Sequence, residues 1–232
     1  MIKLDAVKFR YEAMLMEFDL QVAKGEFIGV IGPSGAGKST LLSLIAGFET
    51  PLSGRIQIAG ADMAGLPPDQ RPVTMIFQDH NSFAHLDVWT NAALGISPRL
   101  KLSMDQRSRV DDALEHVGLT HYKSRKPTEI SGGEKQRIAI ARALVRDRPV
   151  LLLDEPFTAL GPALRREMLD LILGIRAKHN LTVLMVTHQP EDAQYAASRV
   201  AFVADGRIAH LLPTGEFFAG DAPKEIGEYL RG

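Results

Sequence analysis

The sequence contains no cysteine among its 232 residues, and this absence removes several kinds of chemistry. Without thiols the chain can form no disulfide framework, no thiolate zinc site and no cysteine nucleophile. The absence is compatible with a reducing compartment but does not by itself identify one.

An excess of positive charge is also missing. Lys and Arg together number 27 against 28 for Asp and Glu, which gives a formal net charge of -1. Proteins that bind a nucleic-acid backbone gain affinity from basic side chains that displace its counterions. We therefore expect no general binding to nucleic acid.

Long apolar runs are absent as well. No stretch without Asp, Glu, Lys or Arg is longer than 12 residues, and 27–37 and 88–98, with 11 residues each, are interrupted by Gly or Pro, whereas a membrane helix needs about 20 apolar residues. The first residues carry charges from position 3 onward, unlike a signal peptide. We expect a cytosolic protein, and its 45% hydrophobic content suffices for a packed core, which excludes a disordered chain.

Two kinds of strand pattern occur along the chain. Short β-rich segments at 4–10, 14–22 and 55–58 predict an antiparallel layer on the N-terminal side. Short apolar runs without alternation predict strands buried on both faces of a parallel sheet. These runs are 27–31, 74–77, 150–153, 182–186 and 200–203. The last run leads into a predicted hairpin that turns at Asp205-Gly206.

Three helices are indicated by their first residues. Ser103 and Ser131 are each followed three positions later by Gln or Glu, which is the capping-box pattern, and Pro162 takes a favoured first helical position. The predicted buried faces are Val110, Ala113, Leu114 and Val117 in the first helix, Ile138, Ala141 and Val145 in the second, and Leu164, Met168, Leu171, Ile172 and Ile175 in the third. Gly118 is predicted to end the first helix.

The order of these patterns predicts an α/β fold with a helical insertion. No convincing strand is predicted between residues 88 and 149. We expect these residues to form a helical subdomain, inserted into a core made of about 1–87 and 150–232.

A glycine-rich segment between the strand 27–31 and the helix predicted at 40–46 matches the phosphate-binding pattern G-x-x-x-x-G-K-[ST]. Its residues are Gly32, Pro33, Ser34, Gly35, Ala36, Gly37, Lys38, Ser39 and, next in the chain, Thr40. Glycines allow backbone N–H groups to surround an anion, and the helix that follows directs its positive end at the same place. Lys38 can neutralise phosphate charge, and the Ser39 hydroxyl can bind Mg²⁺.

Two acidic residues, Asp154 and Glu155, follow the apolar strand 150–153. This places them at the carboxyl edge of the predicted sheet, where ligands of α/β folds bind. Asp154 is predicted to hold Mg²⁺ through water, and Glu155 to orient or polarise the water that attacks a γ-phosphate. Without the phosphate loop, two acidic residues at the end of a strand would be equally well explained as an edge of the sheet that is exposed to solvent.

The segment Ser131-Gly132-Gly133-Glu134-Lys135-Gln136 precedes that strand. With the phosphate loop and the two acids in this order, the whole chain resembles the nucleotide-binding subunits of ABC transporters. The resemblance implies a P-loop NTPase (RecA-like) core of the ABC ATPase type, with an N-terminal antiparallel β layer and an inserted α-helical subdomain, forming one nucleotide-binding domain over 1–232.

The resemblance also implies roles for individual residues. Tyr11 would stack on adenine, although an aromatic residue near a strand end is often simply packed. Gln78 would supply an oxygen to Mg²⁺, and His188 would touch the γ-phosphate. The signature residues Ser131, Gly132, Gly133 and Glu134 would bind the ATP of a partner subunit, which implies a homodimer with ATP and Mg²⁺ at its interface.

One position departs from the family pattern. Thr158-Ala159-Leu160-Gly161 stands where the family usually has Ser-Ala-Leu-Asp. In the family that aspartate couples the two ATP sites. The resemblance therefore implies weakened or altered coupling with hydrolysis retained, because Glu155 and His188 are present.

The region after the phosphate loop resembles bacterial importer subunits. Residues 71–86 match that group, and 91–102, with 46–48 and 184–186, are similar to the subunits of thiamine and thiamine pyrophosphate importers. This implies an integral membrane permease, a periplasmic solute-binding protein, and a peripheral position on the cytoplasmic face of the inner membrane. Importers of iron, anions or polyamines and, less favoured, a nucleotide-gated ABC protein without transport are the alternatives. The resemblance implies that residues 78–98 form the surface that receives a cytoplasmic helix of the permease. Trp89 is predicted either to line this surface or to pack in the helical subdomain.

Overall fold

The computed structural model describes residues 1–77 and 82–231. The chain divides into two compact units. The first consists of Met1–Val73, Pro149–Glu155 and Leu173–Gly232, and the second of Thr74–Arg148 and Pro156–Ile172. The predicted helical subdomain falls in the second unit except for residue 149, and this unit also takes in 74–87 and 156–172.

The strands largely follow the sequence patterns. In chain order they are β1 (Ile2–Tyr11), β2 (Met14–Val22), β3 (Phe27–Ile31), β4 (Ser53–Ile58), β5 (Ala61–Asp62), β6 (Val73–Ile76), β7 (Val150–Asp154), β8 (Thr182–Val186), β9 (Arg199–Ala204) and β10 (Arg207–Pro213). Strand β1 pairs antiparallel with β2 and β4, which confirms the predicted antiparallel layer.

The strands of the first unit lie in the order β5-β4-β1-β2-β10-β9-β3-β8-β7. Strand β3 is parallel to both β8 and β9, and β7 is parallel to β8. Every residue of β3 and β8 is buried, which explains their continuous apolar sequences. The predicted hairpin joins β9 to β10, and positive φ angles at Asp205 and Gly206 suit its tight turn.

The helices are α1 (Lys38–Ala46), α2 (Val88–Ala93), α3 (Met104–His116), α4 (Gly132–Arg146), α5 (Pro162–His179), α6 (Pro190–Ala196), α7 (Thr214–Phe217) and α8 (Lys224–Arg231). Both predicted capping boxes form, at Ser103 with Gln106 and at Ser131 with Glu134. Among the residues the structure describes, no helix has both the length and the apolar content needed to cross a bilayer.

The predicted buried face of α5 is partly wrong. Met168, Ile172 and Ile175 are buried as expected, but Leu164 and Leu171 are only half-buried, whereas Leu169 is fully buried. The stripe of buried residues is rotated toward Leu169, so the other two leucines lie at its edge.

Trp89 packs within the second unit. Its Nε1 donates a hydrogen bond to Asp111 Oδ1 on α3 at 3.1 Å, and the Arg107 guanidinium lies 5.7 Å from the ring centroid. Of the two interpretations offered by the sequence, these contacts favour packing between α2 and α3.

Candidate functional site

The phosphate loop follows β3 directly and ends at α1. Gly32, Gly35 and Gly37 have φ angles of 147°, 76° and 103°, in the range that favours glycine. A Cβ atom on Gly32 would lie 2.0 Å from the carbonyl oxygen of Val203, so this residue is held against β9. Helix α1 begins at Lys38, two residues before its predicted start.

Lys38 is buried at the centre of this loop, with 5% of its surface exposed. Its Nζ donates to the carbonyl oxygens of Gly32, at 2.9 Å, and Pro33, at 2.7 Å. Burial lowers the pKa of Lys38, while the charges of Glu155 and Asp154 act in the opposite direction. The ammonium group is therefore held where a phosphate in the loop could accept from it.

Ser39 and Asp154 meet at the carboxyl end of β7. The Ser39 hydroxyl donates to Asp154 Oδ1 at 2.9 Å, and burial raises the pKa of Asp154. A hydroxyl and a carboxylate are the hard oxygen ligands that Mg²⁺ prefers, and Mg²⁺ usually takes only one or two protein ligands beside phosphate oxygens and water. The described residues hold no cluster of three or more His, Cys, Asp or Glu that could bind a metal. The pair nevertheless fits Mg²⁺ held jointly with a nucleotide.

Glu155 and His188 are brought together at the same sheet edge. His188 Nε2 lies 2.7 Å from Glu155 Oε1, and the Glu155 side chain is the more buried of the two. Glu155 has a φ of 48°, and its N–H donates to the carbonyl of Val186 at 3.0 Å. A left-handed conformation in a non-glycine residue costs free energy and is concentrated at functional sites. The backbone thus fixes the direction in which the Glu155 side chain leaves the main chain.

The signature segment begins α4 in the second unit. Ser131 and Glu134 cap each other: the Ser131 N–H donates to Glu134 Oε2 at 2.7 Å, and the Glu134 N–H donates to Ser131 Oγ. The hydrogen bond from the Ser131 N–H lowers the pKa of Glu134. Ser131 and Gly132 are exposed, while Gly133 is buried with Leu164 beside its Cα. This helix end can therefore be approached from solvent.

Two further residues, Tyr11 and Gln78, were predicted from the sequence to contact adenine and Mg²⁺. Tyr11 ends β1 and is 59% exposed, so its ring is accessible to a planar ligand. Gln78 lies outside the described residues.

Arg71 is a structural contributor that the sequence did not reveal. Its buried guanidinium donates to the carbonyls of Leu44 and Ile45 in the last turn of α1, and to those of Leu66 and Met63. Carbonyls at a helix C-terminus lack intrahelical partners and attract positive charge. Arg71 therefore fixes the far end of the helix whose first residue is Lys38.

Comparisons with known proteins agree with this geometry. Residues 15–158 match the family described as ABC transporter. The thiamine import ATP-binding protein ThiQ of Mesorhizobium japonicum is 51% identical over 99% of this chain and 90% of its own length. ThiQ of Aliivibrio fischeri is 48% identical over 100% of this chain and 99% of its own length.

Solved structures give the same fold. A dimeric ATP-binding cassette, MJ0796, bound to ADP and Pi after hydrolysis, is 28% identical with a TM-score of 0.79, covering 92% of this chain and 99% of that one. The ADP form of the cassette MJ1267 is 22% identical with a TM-score of 0.90, covering 100% and 98%. At 22% identity, the similarity to MJ1267 shows a shared fold and nothing more.

Proposed function

The chain belongs to the ABC transporter family, and on that basis we propose that it is the ATP-hydrolysing subunit of an importer of thiamine or thiamine phosphates. The observation that carries the ATPase assignment is the meeting of the phosphate loop, Asp154, Glu155 and His188 at one sheet edge. The identity of about half the residues with thiamine import proteins, over nearly the whole chain, supports the solute.

The phosphate loop binds the phosphates of ATP in this proposal. Backbone N–H groups of residues 32–40 surround them, and Lys38 neutralises their charge. Tyr11 stacks on the adenine. Ser39, Asp154 and Gln78 would hold Mg²⁺, with Asp154 acting through water; bound Mg²⁺ neutralises charge on the phosphate oxygens.

Glu155 acts as the general base for the attacking water. Its carboxylate accepts a proton from the water as the water attacks the γ-phosphate, and catalysis otherwise depends on positioning and charge stabilisation. His188 holds one carboxylate oxygen of Glu155 and can reach the γ-phosphate. Thr187 supports this placement because its N–H donates to the carbonyl of Val30 on β3.

The active form is proposed to be a homodimer, as in the dimeric cassette. Ser131, Gly132, Gly133 and Glu134 of one subunit contact the ATP held by the other, through N–H groups at the start of α4. The dimer works beneath an integral membrane permease on the cytoplasmic face of the inner membrane, and a periplasmic solute-binding protein delivers the solute.

Gly161 provides a test of communication between the two ATP sites. We expect Gly161→Asp to change the Hill coefficient or the basal rate of hydrolysis, because it restores the carboxylate that couples sites in this family. A Cβ at this position meets nothing within 4 Å, and Asp caps a helix about as well as Gly, so the free energy of unfolding should change by less than about 0.5 kcal/mol. Steady-state rates across an ATP titration give the measurement.

The matched control is Gly220→Asp, which adds the same charge at another open glycine. Its ATP titration should overlay that of the unmodified chain. If Gly161→Asp overlays it too, the residue plays no part in coupling.

Uptake of labelled thiamine at low external concentration tests the proposed transport. In native cells whose own gene copy is deleted, we expect Lys38→Ala to abolish uptake, because the buried ammonium group is lost from the phosphate loop. Lys24→Ala, an exposed lysine, serves as the control and should support full uptake. If uptake persists in Lys38→Ala while the unmodified protein hydrolyses ATP, the ATPase assignment stands and thiamine is the wrong solute; iron, anions and polyamines are then assayed.

A further inference from the structure

The turn of the β9–β10 hairpin lies against the phosphate loop. The N–H of Gly206 donates to the carbonyl oxygen of Ala36 at 3.2 Å, and the carbonyl of Gly206 accepts from the N–H of Glu17 on β2 at 2.9 Å. The first residue of the loop, Gly32, is held against Val203 of the same hairpin. The hairpin therefore contacts the loop at two places and connects it to β2 through the backbone.

The side chain of Met16, on β2, fills the space between this turn and the last glycine of the loop. It is 3% exposed. A Cβ atom on Gly37 would lie 3.0 Å from Met16 Sδ, and a Cβ atom on Gly206 would lie 3.0 Å from Met16 Cγ. A methionine side chain is long and unbranched, so it can pack into an irregular gap of this kind. Met16 therefore contacts the phosphate loop and the hairpin turn with one side chain.

These contacts fall on the half of the loop that is shielded from solvent. Residues 33–35 are exposed, whereas residues 36–38 are buried. Gly37 has a φ of 103°, and glycine has more backbone freedom than any other residue, so neighbouring groups must supply the restraint that a side chain would otherwise give. Lys38 follows directly in the chain. The position of Gly37 therefore decides where the side chain of Lys38 begins.

Met16 also belongs to the pair of strands that carries Tyr11. In the register of β1 and β2, Tyr11 lies opposite Met14, and Phe9 lies opposite Met16. Tyr11 is the residue proposed to stack on adenine, and Met16 packs against the loop proposed to bind the phosphates. The same two strands would therefore position the groups that bind both ends of the nucleotide.

We infer that Met16 is a positioning residue for nucleotide binding: its side chain, packed between Gly37 and Gly206, holds the phosphate loop and Lys38 in the conformation that receives the phosphates. This inference rests on the proposed function, since it concerns how the loop binds ATP. Met16 lies outside the phosphate-binding motif and acts through the backbone of Gly37. It need not touch the nucleotide.

The test compares Met16→Ala with the unmodified chain. Alanine removes the side chain beyond Cβ but keeps the backbone hydrogen bonds of β2. We expect the Kd for Mg·ADP, measured by calorimetry, to rise about five- to twentyfold, because apparent affinity falls with the fraction of molecules whose loop is in the binding conformation. The KM for ATP should rise in parallel while kcat changes less than about twofold, because Glu155 and His188 are unaltered.

Two further variants separate positioning from stability. Met16→Leu keeps nearly the same volume and should restore Kd to within about twofold of the unmodified value. Met63→Ala is the matched control, since Met63 is equally buried in the same unit and follows β5. It should lower the melting temperature as Met16→Ala does, by leaving a cavity, but leave Kd and KM unchanged.

The inference is wrong if Met16→Ala lowers only the melting temperature and binds Mg·ADP with the unmodified Kd. It is also wrong if Met16→Leu binds as weakly as Met16→Ala, because filling the gap is then not what matters. Should Met16→Ala fail to fold, Met16→Val shortens the same side chain and is judged by the same change in Kd. If the unmodified chain binds no Mg·ADP, the proposed function itself fails.

Discussion

Replacing Glu155 with glutamine is expected to lower the rate of ATP hydrolysis by at least about 100-fold while ATP binding is retained. An amide of the same shape cannot accept the proton of the attacking water, and general-base catalysis contributes about 10²- to 10⁴-fold. The phosphate loop, Lys38 and Ser39 are unchanged in this variant. Release of inorganic phosphate gives the rate, and calorimetry with ATP gives the affinity.

The control for this change is Glu191→Gln, an exposed glutamate in the first turn of α6. It removes the same charge from an exposed side chain and should keep the full rate of hydrolysis. If Glu155→Gln retained more than about a tenth of the unmodified rate, below the range expected for loss of a general base, Glu155 would not be the base. In that case the pair it forms with His188 would serve positioning only.

Replacing Gly32 with alanine is expected to lower the free energy of unfolding by at least about 3 kcal/mol and to abolish ATP binding. The new methyl group would lie 2.0 Å from the carbonyl oxygen of Val203, and the φ angle of 147° disfavours any residue with a Cβ. Relief requires the loop to move away from β9. Denaturant unfolding and calorimetry with Mg·ADP measure the two effects.

Gly35→Ala separates backbone strain from steric overlap. Gly35 has a φ of 76°, but a Cβ there meets nothing within 4 Å. Gly35→Ala should therefore lower the free energy of unfolding only by the cost of the left-handed conformation, about 1 to 2 kcal/mol. Equal destabilisation by the two alanine variants would contradict the role given to the contact between Gly32 and Val203.

The sequence was most informative where function depends on local structure. The phosphate loop and both capping boxes are contiguous motifs, and each formed at its predicted residues. The meeting of Asp154, Glu155 and His188 followed from a topological rule, since parallel strands β7 and β8 end at the same edge. Their roles, and that of Gln78, stay predictions.

Contacts between distant segments were beyond the sequence patterns. Arg71 gave no signal because a single arginine in a loop does not reveal that it will reach the end of α1. The buried face of α5 was predicted wrongly at its edge. The periodicity of apolar residues gives their spacing along a helix more accurately than it gives the side of the helix that packs against its neighbours.

The two hydrogen bonds of Lys38 have a consequence for nucleotide affinity. Its ammonium group has already left water and donates to neutral carbonyls of its own loop. When a phosphate enters, the lysine exchanges neutral acceptors for charged ones, and charge-assisted hydrogen bonds are the stronger kind. Most of the desolvation cost of this cation thus falls on folding, so binding reflects mainly the difference between carbonyl and phosphate as acceptors. The loop gives up some folding stability and gains selectivity for anions of high charge.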